Sequence, residues 1–194
     1  MPLNCSNLTQ NLIAAICGQT AAAGLEDDII LLDFNDVDKG SSTLSDSVIE
    51  EIVMNTGKKG FIFTSYGKSF NDSGATFTKG TYRNTWLHNV MLRIFTKSET
   101  SKSFVNALGE GAKLIAIVKN REAGPNGHVK YEAYGWDNGL VLNEGTASVN
   151  MDDGIVYTLN IGSEDTAQEG SLPKSVFDTD LATTELMLAS LTAA

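Results

Sequence analysis

Hydrophobic and polar positions alternate most regularly in residues 112–161, where four β-type runs follow one another. They cover residues 113–119, 129–134, 140–143 and 155–161. Short turns join them: Gly124-Pro125-Asn126-Gly127, Trp136-Asp137-Asn138-Gly139 and Asp152-Asp153-Gly154. Asn-Gly and Asp-Gly supply the positive φ angles of tight hairpins, so this stretch predicts an antiparallel meander.

Upstream, residues 28–34 read as a buried strand, because Ile29, Ile30, Leu31 and Leu32 run without a polar break. Residues 35–47 are dense in Asp, Ser and Gly and predict a long polar loop, a length that often carries a task. Residues 48–54 read as a strand or a short helix, and 61–66 as a strand with Phe61, Phe63 and Ser65 on one side. The linker 57–60 between them suggests a hairpin. A second polar loop, 67–74, precedes residues 75–78 and the longest strand, 81–95. In its last half Val90, Leu92 and Ile94 face a core and Arg93 faces out, while the polar first half predicts an end that runs beyond the core.

Two helices are expected. One covers 99–108, capped by Ser98, with Phe104, Val105 and Leu108 at helical spacing and Gly109 and Gly111 at its end. The other starts at about Asp180, with Leu181, Leu188 and Leu191 on one face. Between them lie an acidic loop, 162–172, and a last short strand, 174–177. The expected organisation is an N-terminal arm (1–27), a β domain (28–177) and a C-terminal helix (178–194), a mainly β (α+β) chain.

Composition narrows the function classes. Of 194 residues, 42% are apolar, enough for a core, and the 18 glycines and 3 prolines suit a turn-rich β protein. No apolar run is long enough for a membrane span. The short apolar stretch 12–17 lacks a basic region before it, so no secretory signal is expected. Cys5 and Cys17 are too few for a disulfide scaffold and fit a reducing cytoplasm. The net charge is −10, which argues against gripping nucleic acid. Yet the charge is zoned: residues 76–130 hold 9 basic and 3 acidic side chains, residues 151–194 hold 1 and 8. Such zoning suits either a plain solvated surface or head-to-tail contact between copies.

Candidate chemistry is thin. The acidic run Asp33-Phe34-Asn35-Asp36-Val37-Asp38 fails the calcium-loop spacing, because Ser occupies positions 41 and 47 where Gly and Glu are needed. Gly57-Lys58-Lys59-Gly60 lacks the earlier glycine of a phosphate loop, and Ile52 stands there. His88 and His128 have no nucleophile elbow to serve and read as structural. Tyr131, Tyr134, Trp136 and Tyr157 form either a sheet face or an aromatic platform for a sugar. Glu132 and Glu144 make a weak carboxylate pair for glycoside hydrolysis. No catalytic residue, metal site or cofactor is expected.

The order of elements resembles the tail tube proteins of tailed bacteriophages. The residues that carry the resemblance are Gly80-Thr81-Tyr82-Arg83-Asn84-Thr85-Trp86 with the strand up to Phe95, the segment from Tyr131 to Leu140, and the segment from Asp153 to Leu159. The resemblance covers residues 28–177 and implies an antiparallel β-sandwich or barrel. It implies a virion structural protein made in the host cytoplasm, with no enzymatic role. Its partners would be itself, in stacked and six-fold (hexameric) rings, and other virion proteins, with DNA only as transiting cargo. The candidate subunit contacts are then Asp36, Asp38 and Lys39 in the long loop, Arg83, Trp86 and Arg93 on the long strand, and Glu164 and Asp165 in the acidic loop. The alternatives are another virion part (neck, tail-completion or capsid decoration protein) and a carbohydrate-binding β-sandwich module.

Overall fold

The computed structural model describes residues 24–65, 71–150 and 154–193. Its centre is a seven-stranded sheet built around two apolar runs. Strand β1 (Leu25–Asp33) pairs antiparallel with β7 (Leu114–Asn120). The runs 29–32 of β1 and 114–118 of β7 are flanked on both faces, so each reads as unbroken apolar sequence. On one face lie Ile29, Leu31, Leu114, Ala116 and Val118. On the other lie Leu32, Ile115 and Ile117, with Ile30 packed beside them. Each fully buried Ile or Leu contributes roughly 1.5–3 kcal/mol.

The remaining strands are β2 (Thr43–Ser45), β3 (Val48–Glu51), β4 (Phe61–Thr64), β5 (Asp72–Thr78), β6 (Thr85–Ile94), β8 (Tyr131–Tyr134), β9 (Val141–Asn150), β10 (Gly154–Gly162) and β11 (Lys174–Val176). The large sheet has the order β2-β3-β11-β8-β7-β1-β4, and a smaller sheet has the order β5-β6-β10-β9. The sheets pack face to face through Val90, Leu92, Leu159 and Ile161 of the small sheet. Helix α1 (Glu99–Gly109) closes one end of this core with Leu108 and Phe104. Helix α2 (Leu181–Thr192) covers the opposite face of the large sheet with Leu188 and Leu191. The fold is thus mainly β, a two-sheet sandwich with a helix as third layer. Both helix starts are capped as expected: the Ser98 hydroxyl accepts from Ser101 N–H and the Asp180 carboxylate from Thr183 N–H.

Several expectations need correction. The four runs of residues 112–161 do not form one meander: β7 and β8 pair in the large sheet, β9 and β10 in the small one. The turn through Gly135 and Gly139, both at positive φ (74° and 82°), reverses the chain as its residues predict. However, β8 is already flanked by β7 and β11 and has no edge left for β9. The chain therefore crosses to the other layer, after Leu140 exchanges two backbone hydrogen bonds with Leu114.

The linker 57–60 likewise joins no hairpin. β3 is flanked by β2 and β11, and β4 pairs with β1 at the far margin. The chain passes beneath the sheet, where Gly60 N–H donates to Leu191 O at the end of α2. The long polar loop 35–47 is partly ordered structure, with a 3₁₀ turn (Phe34–Asp36) and β2 inside it. Residues 72–74, expected in the second polar loop, belong to β5, and residues 66–70 of that loop lie outside the described residues. The long strand starts at Thr85. Tyr82, Arg83 and Asn84 do project into solvent, but His88 is buried, because the loop after β10 folds over it. The arm 1–27 contributes its last residues to β1, and residues 1–23, with both cysteines, lie outside the described residues.

Candidate functional site

The most unusual surface is the β4 margin of the large sheet. β4 reads Phe-Ile-Phe-Thr and, among the described residues, pairs with β1 alone, through Asp28–Thr64 to Leu31–Phe61. Its side chains alternate between two layers, and neither layer extends far enough to cover them. Phe61 and Phe63 point towards the small sheet, which is four strands wide against seven. The shortfall leaves a cleft of about 540 Å³ between Phe61, Phe63, Ile94, Phe95 and Phe104. Ile62 points the other way, into a crevice beside Ile30, Ile117 and Leu188 of the α2 layer. Phe61 is 62% exposed and Ile62 56%. An edge strand that is apolar on both faces is what natural sheets normally blunt with charge, proline or a cover. Here the nearest blunting is Lys58 and Lys59 just before the strand, and Lys58 is paired with Asp36 at 3.1 Å.

The opposite margin, β2, differs in character. It is three residues long, with Leu44 exposed, and Asp46, Glu50 and Glu51 of the β2–β3 hairpin are all solvent-facing. The β2 end is therefore acidic, whereas the β4 end is marked by exposed apolar side chains.

A second constellation lies buried where the sheets join. Glu169 is 1% exposed, and its two carboxylate oxygens accept from the Asp137 and Asn138 N–H groups, both at 3.0 Å. Burial pushes its carboxyl above the usual 4.5, against the pull of those two donors. His88 Nδ1 accepts from Gly135 N–H at 3.2 Å, so Nε2 carries the proton and donates to Ser171 O at 3.0 Å. Burial holds this imidazole below the usual 6.5 and keeps it neutral. Lys174, nearly buried, pairs with Asp137 at 3.4 Å. Burial pushes the nearby Tyr134 phenol up to about 12. This group brings a histidine and a carboxylate close together, but both imidazole nitrogens and both carboxylate oxygens are occupied by backbone. What it does chemically is to clamp the turn 135–139 and the loop 163–173 onto the sandwich.

The eight candidate contact residues fall into four places. Asp36 pairs with Lys58, and Asp38 bonds Gly40 N–H, Ser41 N–H and the Ser41 hydroxyl within its own loop, which holds its carboxyl below the usual range. Lys39 donates to Asp137 O and lies 3.6 Å above the Phe34 ring, over the clamp. Trp86 joins the same region through two backbone bonds with Glu169, and Arg83 reaches Gly170. At the other end of β6, Arg93 pairs with Asp72 at 3.6 Å. Glu164 pairs with Lys113 at 3.0 Å, and Asp165 is exposed. The basic belt and the acidic C-terminal part thus already meet inside one chain, at Lys113–Glu164 and again at Lys119–Glu185.

The four aromatics Tyr131, Tyr134, Trp136 and Tyr157 are all buried, between 5% and 8% exposed. They pack the sandwich and offer no platform for a sugar. His128 stacks on Phe177 with ring centroids 4.0 Å apart. Among the described residues no cluster of three or more His, Cys, Asp or Glu is placed to hold a metal ion. No helix among them is long and apolar enough to cross a membrane. The chain matches no protein-family model and no curated protein sequence.

Sequence reasoning missed Glu169, Lys174 and the openness of β4. No local signal marks Glu169, an acid in an acidic loop. β4 carried a faint one: a three-residue apolar core directly after two lysines, the usual guard of an exposed strand.

Proposed function

We propose that this chain is a structural protein that acts by docking to copies of itself through the margins of its large sheet, most specifically as the tube protein of a phage tail. The observation that carries the reading is β4, which no further strand among the described residues pairs and which exposes Phe61 and Ile62 at the margin opposite the acidic β2–β3 hairpin. Contact between unlike margins is heterologous, so it closes into rings or continues as a filament. A net charge of −10 agrees with an acidic lumen, which would repel passing DNA. A sugar-binding module lacks support, since its aromatic platform is core.

Light scattering across a concentration series, with negative-stain microscopy, tests the reading. Rings or stacked rings are expected. A single ring that never elongates favours a neck, completion or decoration protein instead. A strict monomer at high concentration, with no ring in any field, refutes docking to itself.

A further inference from the structure

Two Asn-Gly pairs occur in the chain, Asn126-Gly127 and Asn138-Gly139. Such a pair is a turn signal and also a chemical weak point. Glycine has no Cβ to shield its main-chain nitrogen, so that nitrogen can reach the amide carbon of the asparagine before it. The structure treats the two pairs differently. The Asn138 side chain donates to Gln168 O at 2.9 Å, and its main-chain N–H donates to Glu169 at 3.0 Å. Gly139 N–H donates to Gly135 O at 3.0 Å, and Gly139 lies against the Phe34 ring. The amide and the nitrogen are each held, and they meet only if several bonds break together.

The 3₁₀ turn Pro125–Gly127, between β7 and β8, gives its asparagine no such hold. Asn126 is exposed, and its side chain meets no hydrogen-bond partner among the described residues. Gly127 N–H reaches Gly124 O only at 3.4 Å, beyond the usual length of such a bond. Asn126 also sits at φ 59° and ψ 13°, a left-handed backbone that a side chain adopts at a cost, so the conformation does not itself hold the turn closed.

We propose that Asn126 is a site of spontaneous covalent modification, where the folded chain converts to aspartyl and isoaspartyl forms while Asn138 is protected. Gly127 N bonds to Asn126 Cγ and gives up its proton, and the side-chain amide leaves as ammonia. A cyclic succinimide results. Water then opens the ring. Addition at Cγ restores the ordinary main chain with an aspartate. Addition at the main-chain carbonyl leaves the chain running through the former side chain. Water is taken up, ammonia is released and nothing is oxidised or reduced. Either product adds a negative charge to the turn. The isoaspartyl form also lengthens the main chain by a methylene where Gly127 rests on Leu181, at the start of α2. This inference is independent of the self-docking reading.

The test holds the folded full chain at mildly alkaline pH, samples it over time and locates aspartyl and isoaspartyl residues by peptide mapping. Conversion at Asn126 is expected to run at least roughly tenfold faster than at Asn138, whose hydrogen bonds must break together. In guanidinium chloride, where both turns are lost, the two sites are expected to convert at similar rates. No product at Asn126 in the folded chain, or equal rates at the two sites, overturns the inference. A rate ratio that persists unchanged in guanidinium chloride also overturns it, because the fold would then have no part in the selection.

Discussion

The clamp around Glu169 and the margin at β4 treat water in opposite ways. In the clamp, polar groups are withdrawn from solvent and each is met by a fixed partner: Glu169 by two N–H groups, His88 by Gly135 and Ser171, Lys174 by Asp137. At the margin, large apolar groups are left in solvent and no described strand meets them. Buried polar groups that are fully partnered define one arrangement of the chain. Exposed apolar groups on an open edge leave an arrangement to be completed. The polar cluster therefore acts as scaffold, although it looks like chemistry, and the bland-looking strand is the surface proposed to dock.

The comparison is most sharply broken at Glu169. Glu169→Ala leaves two backbone N–H groups without partners in a buried place and is expected to cost about 3 kcal/mol of folding stability. Urea unfolding with an unchanged slope measures it. Ile62→Lys has the opposite profile. Folding stability should change by less than about 0.5 kcal/mol, as for an ordinary surface site. Self-association should weaken at least tenfold, about 1.4 kcal/mol, by sedimentation or light scattering. If Ile62→Lys unfolds the protein and leaves association intact, the two regions have been assigned the wrong way round.

His88 sharpens the contrast through pH. Its folded affinity for a proton lies below the usual 6.5, so the unfolded chain takes up the proton first as pH falls. The stability is full above pH 6.5 and is lost as pH drops below it, at up to about 1.4 kcal/mol per unit. Glu169 acts in the other sense, because its folded carboxyl holds a proton more tightly than the usual 4.5. His88→Gln should remove the histidine's share of the slope in urea midpoints taken between about pH 7.5 and 5.5. The smallest effect is expected at Lys58→Ala, which breaks a solvent-screened pair and should move stability by no more than about 0.5 kcal/mol in the same assay.

Local patterns reached as far as local physics does. The apolar run of β7, the cap and glycine stop of α1 and the Asp180 start of α2 were legible, since each depends on residues a few positions apart. Which sheet a strand joins was not. The turn at Trp136–Gly139 reverses the chain whether or not a partner edge is vacant, and the vacancy was decided by β11, about forty residues later. β4 was legible as a strand, but its exposure depends on how wide the other sheet is. Glu169 and Lys174 have the composition of a solvated loop, and only the closing of that loop over His88 buries them. The charge zones were visible as well, yet the pairs Lys113–Glu164 and Lys119–Glu185 close within one subunit.

The parallel pairing of β11 with β3, Ser175 against Val48 and Val176 against Ile49, has a consequence for synthesis. The β2–β3 hairpin reaches the rest of its sheet only through β11. On the ribosome, the hairpin must wait while more than a hundred further residues are translated. In that interval the hairpin is held only by local bonds, Asp38 N–H to Val53 O and Asn55 N–H to Asp36 O, and β8 lacks its second neighbour. Until residue 174 has emerged the large sheet stays in two parts, so the C-terminal part of the chain decides when that sheet closes.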